Sequence, residues 1–345
     1  MCKVGAGPGW KRRGYVRLVD TMTTSAALHL ASPVRPDAAL QAVTSATARL
    51  AGLEAHTPGD PAIAFHRVIA SIHDICAALS DAEAAGCPHE QLRMAARAAR
   101  EIHGASPFVR RLQEWPRGYP GDFETIEWLC RAMNGAAQGT FGAALESYAL
   151  TSAIAQQHRN KVQFQADCIR DTILRRPDCR VLSIACGSSP DIRAVAPLAG
   201  PGVSFVLCDG DAAALEFSRR QLEAVTARCE FVHGMVPRVL GRVARYGPFD
   251  LVYAGGLFDY LPDRLATRTL AIARRTLLAP GGRLVFTNIA SGNPFRVWLE
   301  YLANWTLIER TAADVRRLCT DAELETVRIE RDATGLAFLI TATGP

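Results

Sequence analysis

The chain has 345 residues, 49% hydrophobic and 21% charged, enough for one large α/β domain with a smaller one appended. Net charge is +5; only Lys3, Lys11 and Lys161 are lysines, and the many arginines are interspersed with acids, which argues against a nucleic-acid surface. No run approaches the ~20 apolar residues of a membrane span, and no apolar stretch follows Lys11, Arg12 and Arg13 as a secretory signal would require. The ten cysteines show no CxxC pair and no His/Cys cluster, so free cytoplasmic thiols are expected, with no metal site and no stable membrane insertion.

In chain order, residues 1–21 read either as a mis-assigned start before Met22 or as part of a disordered tail reaching residue 36. Residues 37–177 then carry a helical pattern. Phe65, Ile69, Ile72, Cys76 and Leu79 recur at three- and four-residue steps, and 38–55, 88–103, 123–135 and 141–176 read the same way. Pro116, Gly118, Pro120 and Gly121 interrupt it, so 105–122 is expected to be a loop. From residue 178 the pattern alternates. Short apolar runs at 180–185, 203–208, 229–233, 249–254 and 282–288 are separated by helical segments at 190–199, 212–226, 262–278 and 294–304. Strand–helix alternation implies a parallel sheet with helices on both faces. Two closing strands, near 324–330 and 335–342, are joined by a link short enough only for an antiparallel hairpin.

Val181 to Asp191 reads as strand, tight turn and helix start, with Ser189 suited to the N-cap and Pro190 to the first helical position. A ligand can approach the backbone of such a loop; an ordinary strand-to-helix turn is the plain alternative. The loop resembles the S-adenosylmethionine (SAM) motif of class I methyltransferases. That motif often has three glycines, whereas here Gly187 is flanked by Ala185 and Ser189, and Ser183 stands where an acid is frequent. The second strand ends in Asp209-Gly210-Asp211. Asp209 is the better candidate for the ribose hydroxyls, and Asp211 either shares that role or caps the helix from Ala212. The third strand ends at Phe231-Val232-His233-Gly234-Met235, where adenine would be flanked, with His233 either beside it or on a plain surface turn.

The fourth strand runs into Gly255-Gly256-Leu257-Phe258-Asp259-Tyr260-Leu261, where Gly255 would leave the sulfonium unobstructed. This segment, the loop Arg117-Gly118-Tyr119-Pro120-Gly121-Asp122-Phe123 and the segment Asn304-Trp305-Thr306-Leu307-Ile308-Glu309-Arg310 together resemble one bacterial subfamily. It is the extracellular-factor, or 3-hydroxypalmitic acid methyl ester, biosynthesis type, and the resemblance covers roughly residues 60–343. It implies an α/β fold with a Rossmann-like sheet of seven strands, the last antiparallel, beneath an N-terminal helical cap. It also implies SAM as cofactor and a fatty or 3-hydroxy fatty acid methyl ester, of quorum-signal type, as product.

Tyr119 and Asp122 sit among backbone-restricting residues. Asp122 is a candidate for the methionine ammonium or the N-cap of the helix from Phe123. His158, Arg159 and Lys161 form a basic cluster, from which Arg159 would receive a carboxylate; a solvated helix face is the alternative. Trp115, Trp128, Trp298 and Trp305 either wall an apolar pocket or seal the helices onto the sheet. A carboxylate acceptor, with a reference pKa near ~4, needs no general base. A hydroxyl or nitrogen acceptor would, and Tyr260, His158 or Asp259 could serve as that base; the catalytic candidates are Tyr119, Tyr260 and His158. Expected partners are a small acyl substrate, free or on an acyl carrier, and a second copy of the chain. The rival readings are a methyltransferase of another small molecule or of RNA, and a non-catalytic SAM-binding protein.

Overall fold

In the computed structural model, which describes residues 35–343, the chain before the first strand is helical. The tail expected at 1–36 lies outside the described residues except for Arg35 and Pro36, and Pro36 already opens a helix. The helices are α1 (Pro36–Ala55), α2 (Pro61–Ala84), α3 (His89–Ala95), α4 (Arg97–His103), α5 (Pro107–Glu114), α6 (Phe123–Arg131), α7 (Phe141–Thr151) and α8 (Ala153–Arg175). Val68, Ile72, Ile75 and Leu79 form the buried stripe of α2, facing α1 and α7. Contrary to expectation, α2 is long and apolar enough by composition to cross a membrane, although this stripe is packed inside the cap.

The expected loop at 105–122 contains α5. Ser106 accepts from the Val109 N–H and Pro107 takes the first helical position, a start signal that outweighs the breakers downstream. The true loop begins at Trp115, whose φ is +47°. The helical stretch at 141–176 is two helices, broken at Ser152 where ψ turns to 156°. The stretch at 123–135 stops at Arg131 because Ala132 turns left-handed.

The strands are β1 (Arg180–Ile184), β2 (Ser204–Asp209), β3 (Cys229–His233), β4 (Phe249–Ala254), β5 (Leu278–Ile289), β6 (Glu325–Arg331) and β7 (Ala337–Thr343). They order as β3-β2-β1-β4-β5-β7-β6, with the first five parallel and β7 antiparallel to both neighbours. β1, β2 and β4 are apolar runs because both faces of a parallel sheet are covered. Between strands lie α9 (Pro190–Val195), α10 (Ala212–Gln221), α11 (Leu240–Val243), α12 (Asp263–Ile272) and α13 (Ala312–Asp321). The helix expected at 294–304 is reduced to a short wide turn at 298–302. The pattern left α13 unread, although its capping box of Thr311 and Asp314 is visible in the sequence.

One apolar core lies on each face of the sheet and a third fills the cap. Trp298, Tyr301 and Trp305, which follow β5, belong to the cap core, so these aromatics seal helices to sheet. Strand order reverses between β1 and β4, two parallel neighbours, which opens the crevice at their carboxyl ends where ligands bind in such sheets.

Candidate active site

The loop after β1 has Ala185, Gly187 and Ser189 at φ of +53°, +54° and +52°. All three glycine positions of the motif thus keep the left-handed conformation, though two carry side chains, at a cost of roughly 1–2 kcal/mol each. Such strain persists at sites that need a fixed backbone. Pro190 occupies the first turn of α9, but the Ser189 hydroxyl makes no cap; it meets the Ser218 hydroxyl at 3.1 Å. Ser188 Oγ is buried and has no hydrogen-bond partner among the described residues. Asp191, in the first turn of α9, is buried, and burial pushes its carboxyl up to about 6.

Asp209 ends β2. Its Oδ2 accepts from the Gly187 N–H and its Oδ1 from the Asp211 N–H, each at 2.8 Å. Burial raises its pKa, opposed by those N–H donors. The Gly234 N–H donates to the Asp209 carbonyl at 2.8 Å, tying the end of β3 to β2. Met235 is exposed, with its sulfur over Gly210, and His233 holds the Gly210 carbonyl from an exposed turn.

The loop at 115–122 crosses these strand ends. Arg117 donates to both oxygens of Asp211 at 2.6 Å, and the Tyr119 hydroxyl donates to Asp211 at 2.9 Å. Arg117 above all holds the Asp211 carboxyl down at about 2. Asp211 also caps α10 through the Ala213 N–H. At the other end of the loop, a Cβ on Gly121 would collide with the Tyr260 hydroxyl and lie 2.9 Å from the Trp305 ring, so only glycine fits that approach. Directly after Gly121, Asp122 Oδ1 accepts the N-capping N–H groups of Glu124 and Thr125 and a 2.7 Å bond from Arg111.

At the end of β4, Gly255 lies under the Gln165 side chain of α8. Lys161 Nζ donates to Asp259 Oδ2 at 2.7 Å, with both side chains buried, and the Ile289 N–H donates to Oδ1 at 2.6 Å. Next to it the Trp305 indole N–H donates to the Tyr260 hydroxyl at 2.7 Å, and the His158 ring stacks on Trp305 with centroids 5.3 Å apart. Burial, then Lys161 and Arg159, hold His158 well below its ordinary pKa, while burial raises Tyr260 above its own. Arg310, buried, donates to the Phe258 and Leu261 carbonyls and to Asp263, fixing this corner.

Ala185, Gly187, Asp209, Asp211, Gly234, Met235 and Gly255 therefore line up along the strand ends, with Asp122 and Tyr119 on the loop above them. Three expectations change. Arg159 is spent on the Leu129 and Leu150 carbonyls at the ends of α6 and α7 and presents no guanidinium to the crevice. Tyr119, a catalytic candidate, commits its hydroxyl to Asp211 and so clasps the loop. The basic cluster is no solvated face, because Lys161 is buried against Asp259. Sequence reasoning gave no separate role to Arg117, Lys161, Gln165 or Arg310. Their partners Asp211, Asp259, Gly255 and Asp263 lie far along the chain, and no local spacing announces such pairs.

Residues 182–284 match the family model of a methyltransferase domain. No curated protein matches the chain. A solved structure of a possible exported protein from Bordetella parapertussis is 18% identical, over 92% of this chain and all of that one, with a TM-score of 0.53, a likeness of fold. An O-methyltransferase family protein from Burkholderia thailandensis is 17% identical over 58% of this chain and 62% of its own, TM-score 0.41. Magnesium protoporphyrin IX methyltransferase from Synechocystis, with bound S-adenosylhomocysteine (SAH), is 14% identical over 56% and 87%, TM-score 0.42. The stretch from β1 into β5 thus resembles a methyltransferase domain, and SAM is the methyl donor that this resemblance implies. The residues present fit that cofactor. Asp209 closes β2 beside the left-handed loop, and the buried Ser188 hydroxyl lacks a protein partner among the described residues.

Proposed function

We propose that the enzyme esterifies the carboxylate of an amphiphilic acid, of the fatty or 3-hydroxy fatty acid class, to its methyl ester. The observation that carries this reading is the lack, at the end of β4, of a base matched to neutral pH among the described residues. Tyr260 is raised, His158 is lowered, and both oxygens of Asp259 are engaged. A general base works best with a pKa near the operating pH. A carboxylate acceptor is already ionised and needs none.

When bound, SAM supplies an electrophilic methyl group: a carboxylate oxygen forms the new C–O bond as the S–CH₃ bond breaks, its electron pair stays on sulfur, and no proton moves. The protein's part is to position and desolvate the acceptor. Ser188 and Asp209, beside the 185–189 loop, would hold the cofactor. The loop at 115–122, anchored at Asp211 and Tyr260, would keep water from the strand ends. An apolar seam lined by Phe108, Leu112, Leu129, Ile154, Trp298 and Trp305 leads from His158 into the cap. Its free space is about 10 Å³, room for one water molecule, so an acyl chain enters only if the cap helices part.

The test is labelled SAM with saturated and 3-hydroxy acids of increasing length. Each CH₂ buried contributes about 0.8 kcal/mol, so kcat/KM should rise about fourfold per carbon until the seam is full. Label released as methanol by base identifies the ester. Label found only on amines, hydroxyls or RNA would sink the carboxylate reading and leave the methyltransferase domain untouched.

A further inference from the structure

Tyr260 has a hydroxyl with one use visible and one not. Its oxygen accepts the Trp305 indole N–H, while its own proton finds no acceptor among the described residues. It stands just past β4, at the reversal of strand order, with Gly121 of the cap loop against it. Trp305 cannot turn away. Its side chain is 3% exposed, its ring is stacked on His158, and its backbone N–H is bonded to the Leu299 carbonyl at 2.8 Å. The preceding Asn304 is fixed to α5 through the Gln113 carbonyl at 2.9 Å. A phenol that accepts from one fixed direction must send its proton in another.

We propose that Trp305 is a positioning residue. Its N–H aims the Tyr260 proton at the oxygen of the acceptor carboxylate that becomes the ester carbonyl. This rests on the carboxylate reading above. The energetic role follows from charge. The acceptor is an anion when it binds and loses charge as the methyl group arrives, so a hydrogen bond to it is stronger in the ground state than in the transition state. The bond serves capture and orientation, and its loss appears in KM.

The experiment uses the full chain, labelled SAM and 3-hydroxydodecanoate with its shorter homologues. Four proteins are compared: wild type, Tyr260→Phe, Trp305→Phe and the double variant. Tyr260→Phe should raise KM by about 10- to 100-fold, with kcat within about threefold of wild type. Trp305→Phe keeps a ring for His158 and loses the N–H together with part of the indole's volume; its KM should rise less, about 3- to 10-fold. The double variant should match Tyr260→Phe, because Trp305 acts only through that hydroxyl. Additive effects overturn the proposal, as does a fall in kcat at unchanged KM. SAH affinity by calorimetry should be the same in all four; weakened SAH binding in Trp305→Phe would make its role structural. If Trp305→Phe does not fold, the KM-against-kcat split of Tyr260→Phe decides alone. A wild type that labels none of the acids refutes the carboxylate reading itself, a result distinct from an active wild type whose variants do not move.

Discussion

The sheet region and the helical cap settle their buried polar groups in opposite ways. In the sheet region, Asp209 is satisfied by the N–H groups of Gly187 and Asp211, its neighbours at the strand ends. The cap keeps some of its own, as where buried Glu146 accepts from the Ser106 hydroxyl and the Phe108 N–H, but other polar groups of the cap reach across the boundary. Lys161 donates to Asp259, 98 residues on, Arg117 to Asp211, 94 residues on, and Asn160 to Asp332, 172 residues on. The difference teaches that the cofactor crevice is built by the sheet, whereas its cover is built by neither region alone. The proposed acceptor corner, between Gly121, Tyr260 and Trp305, comes from three separate stretches of chain.

The largest expected effect breaks that boundary. Lys161→Met leaves the Asp259 carboxylate buried without its cation, a loss of about 3–5 kcal/mol. Urea unfolding should show it, and Lys161→Met with Asp259→Leu should be less damaged than Lys161→Met alone. A neutral single variant would mean that charge does not join cap to sheet. Next comes the sheet's own share. Asp209→Ala should weaken SAH by about 1–3 kcal/mol in calorimetry. An unchanged affinity would pass the ribose role to Asp211, which must then give up Arg117 to perform it.

A smaller effect concerns the clasp. Asp211 titrates at about 2 in the folded protein against an ordinary 3.8, a depressed carboxyl. Its contribution to stability is therefore complete above pH 4 and lost as pH falls from 4 to 2. Arg117→Ala should remove that acid-side loss and release SAH faster, by stopped-flow dissociation. Dissociation at the wild-type rate would show that the loop at 115–122 does not limit cofactor exchange.

The division of labour also explains what the sequence made legible. The strands were readable because a parallel sheet buried on both faces demands apolar runs, as in Val181–Ile184 and Leu251–Ala254, and the end of each run marks the crevice. That rule singles out Asp209 and Asp211 as candidates. α5 was missed because Pro116 and Gly118 outweighed the Ser106–Pro107 start signal. The roles of Arg117 and Lys161 were not legible, since an ion pair between distant residues leaves no periodicity. The tryptophans pointed to the cap without saying whether they wall a pocket or fill a core, and burial of Trp298 and Trp305 places these two in the core.

A pH-dependent effect sharpens the comparison within the sheet region, at Asp191. It sits in the first turn of α9, directly after the cofactor loop, with its carboxylate accepting the Ile192 N–H at 2.8 Å. Burial raises it to about 6 from an ordinary 3.8. A raised carboxyl makes the folded state hold its proton where the unfolded chain has released it. Stability from this group therefore falls as pH rises from about 4 to 6 and stays lower above, by about 3 kcal/mol. Asp191→Asn has no proton to lose, so it should be more stable than wild type at pH 8, with the gain vanishing near pH 4. A gain that ignores pH would assign the effect to packing, and a loss at pH 8 would show that the charged form is favoured by its N–H contact. A variant that gains stability yet binds SAH more weakly would mean that the buried charge is kept beside the loop for the cofactor, at the expense of the fold.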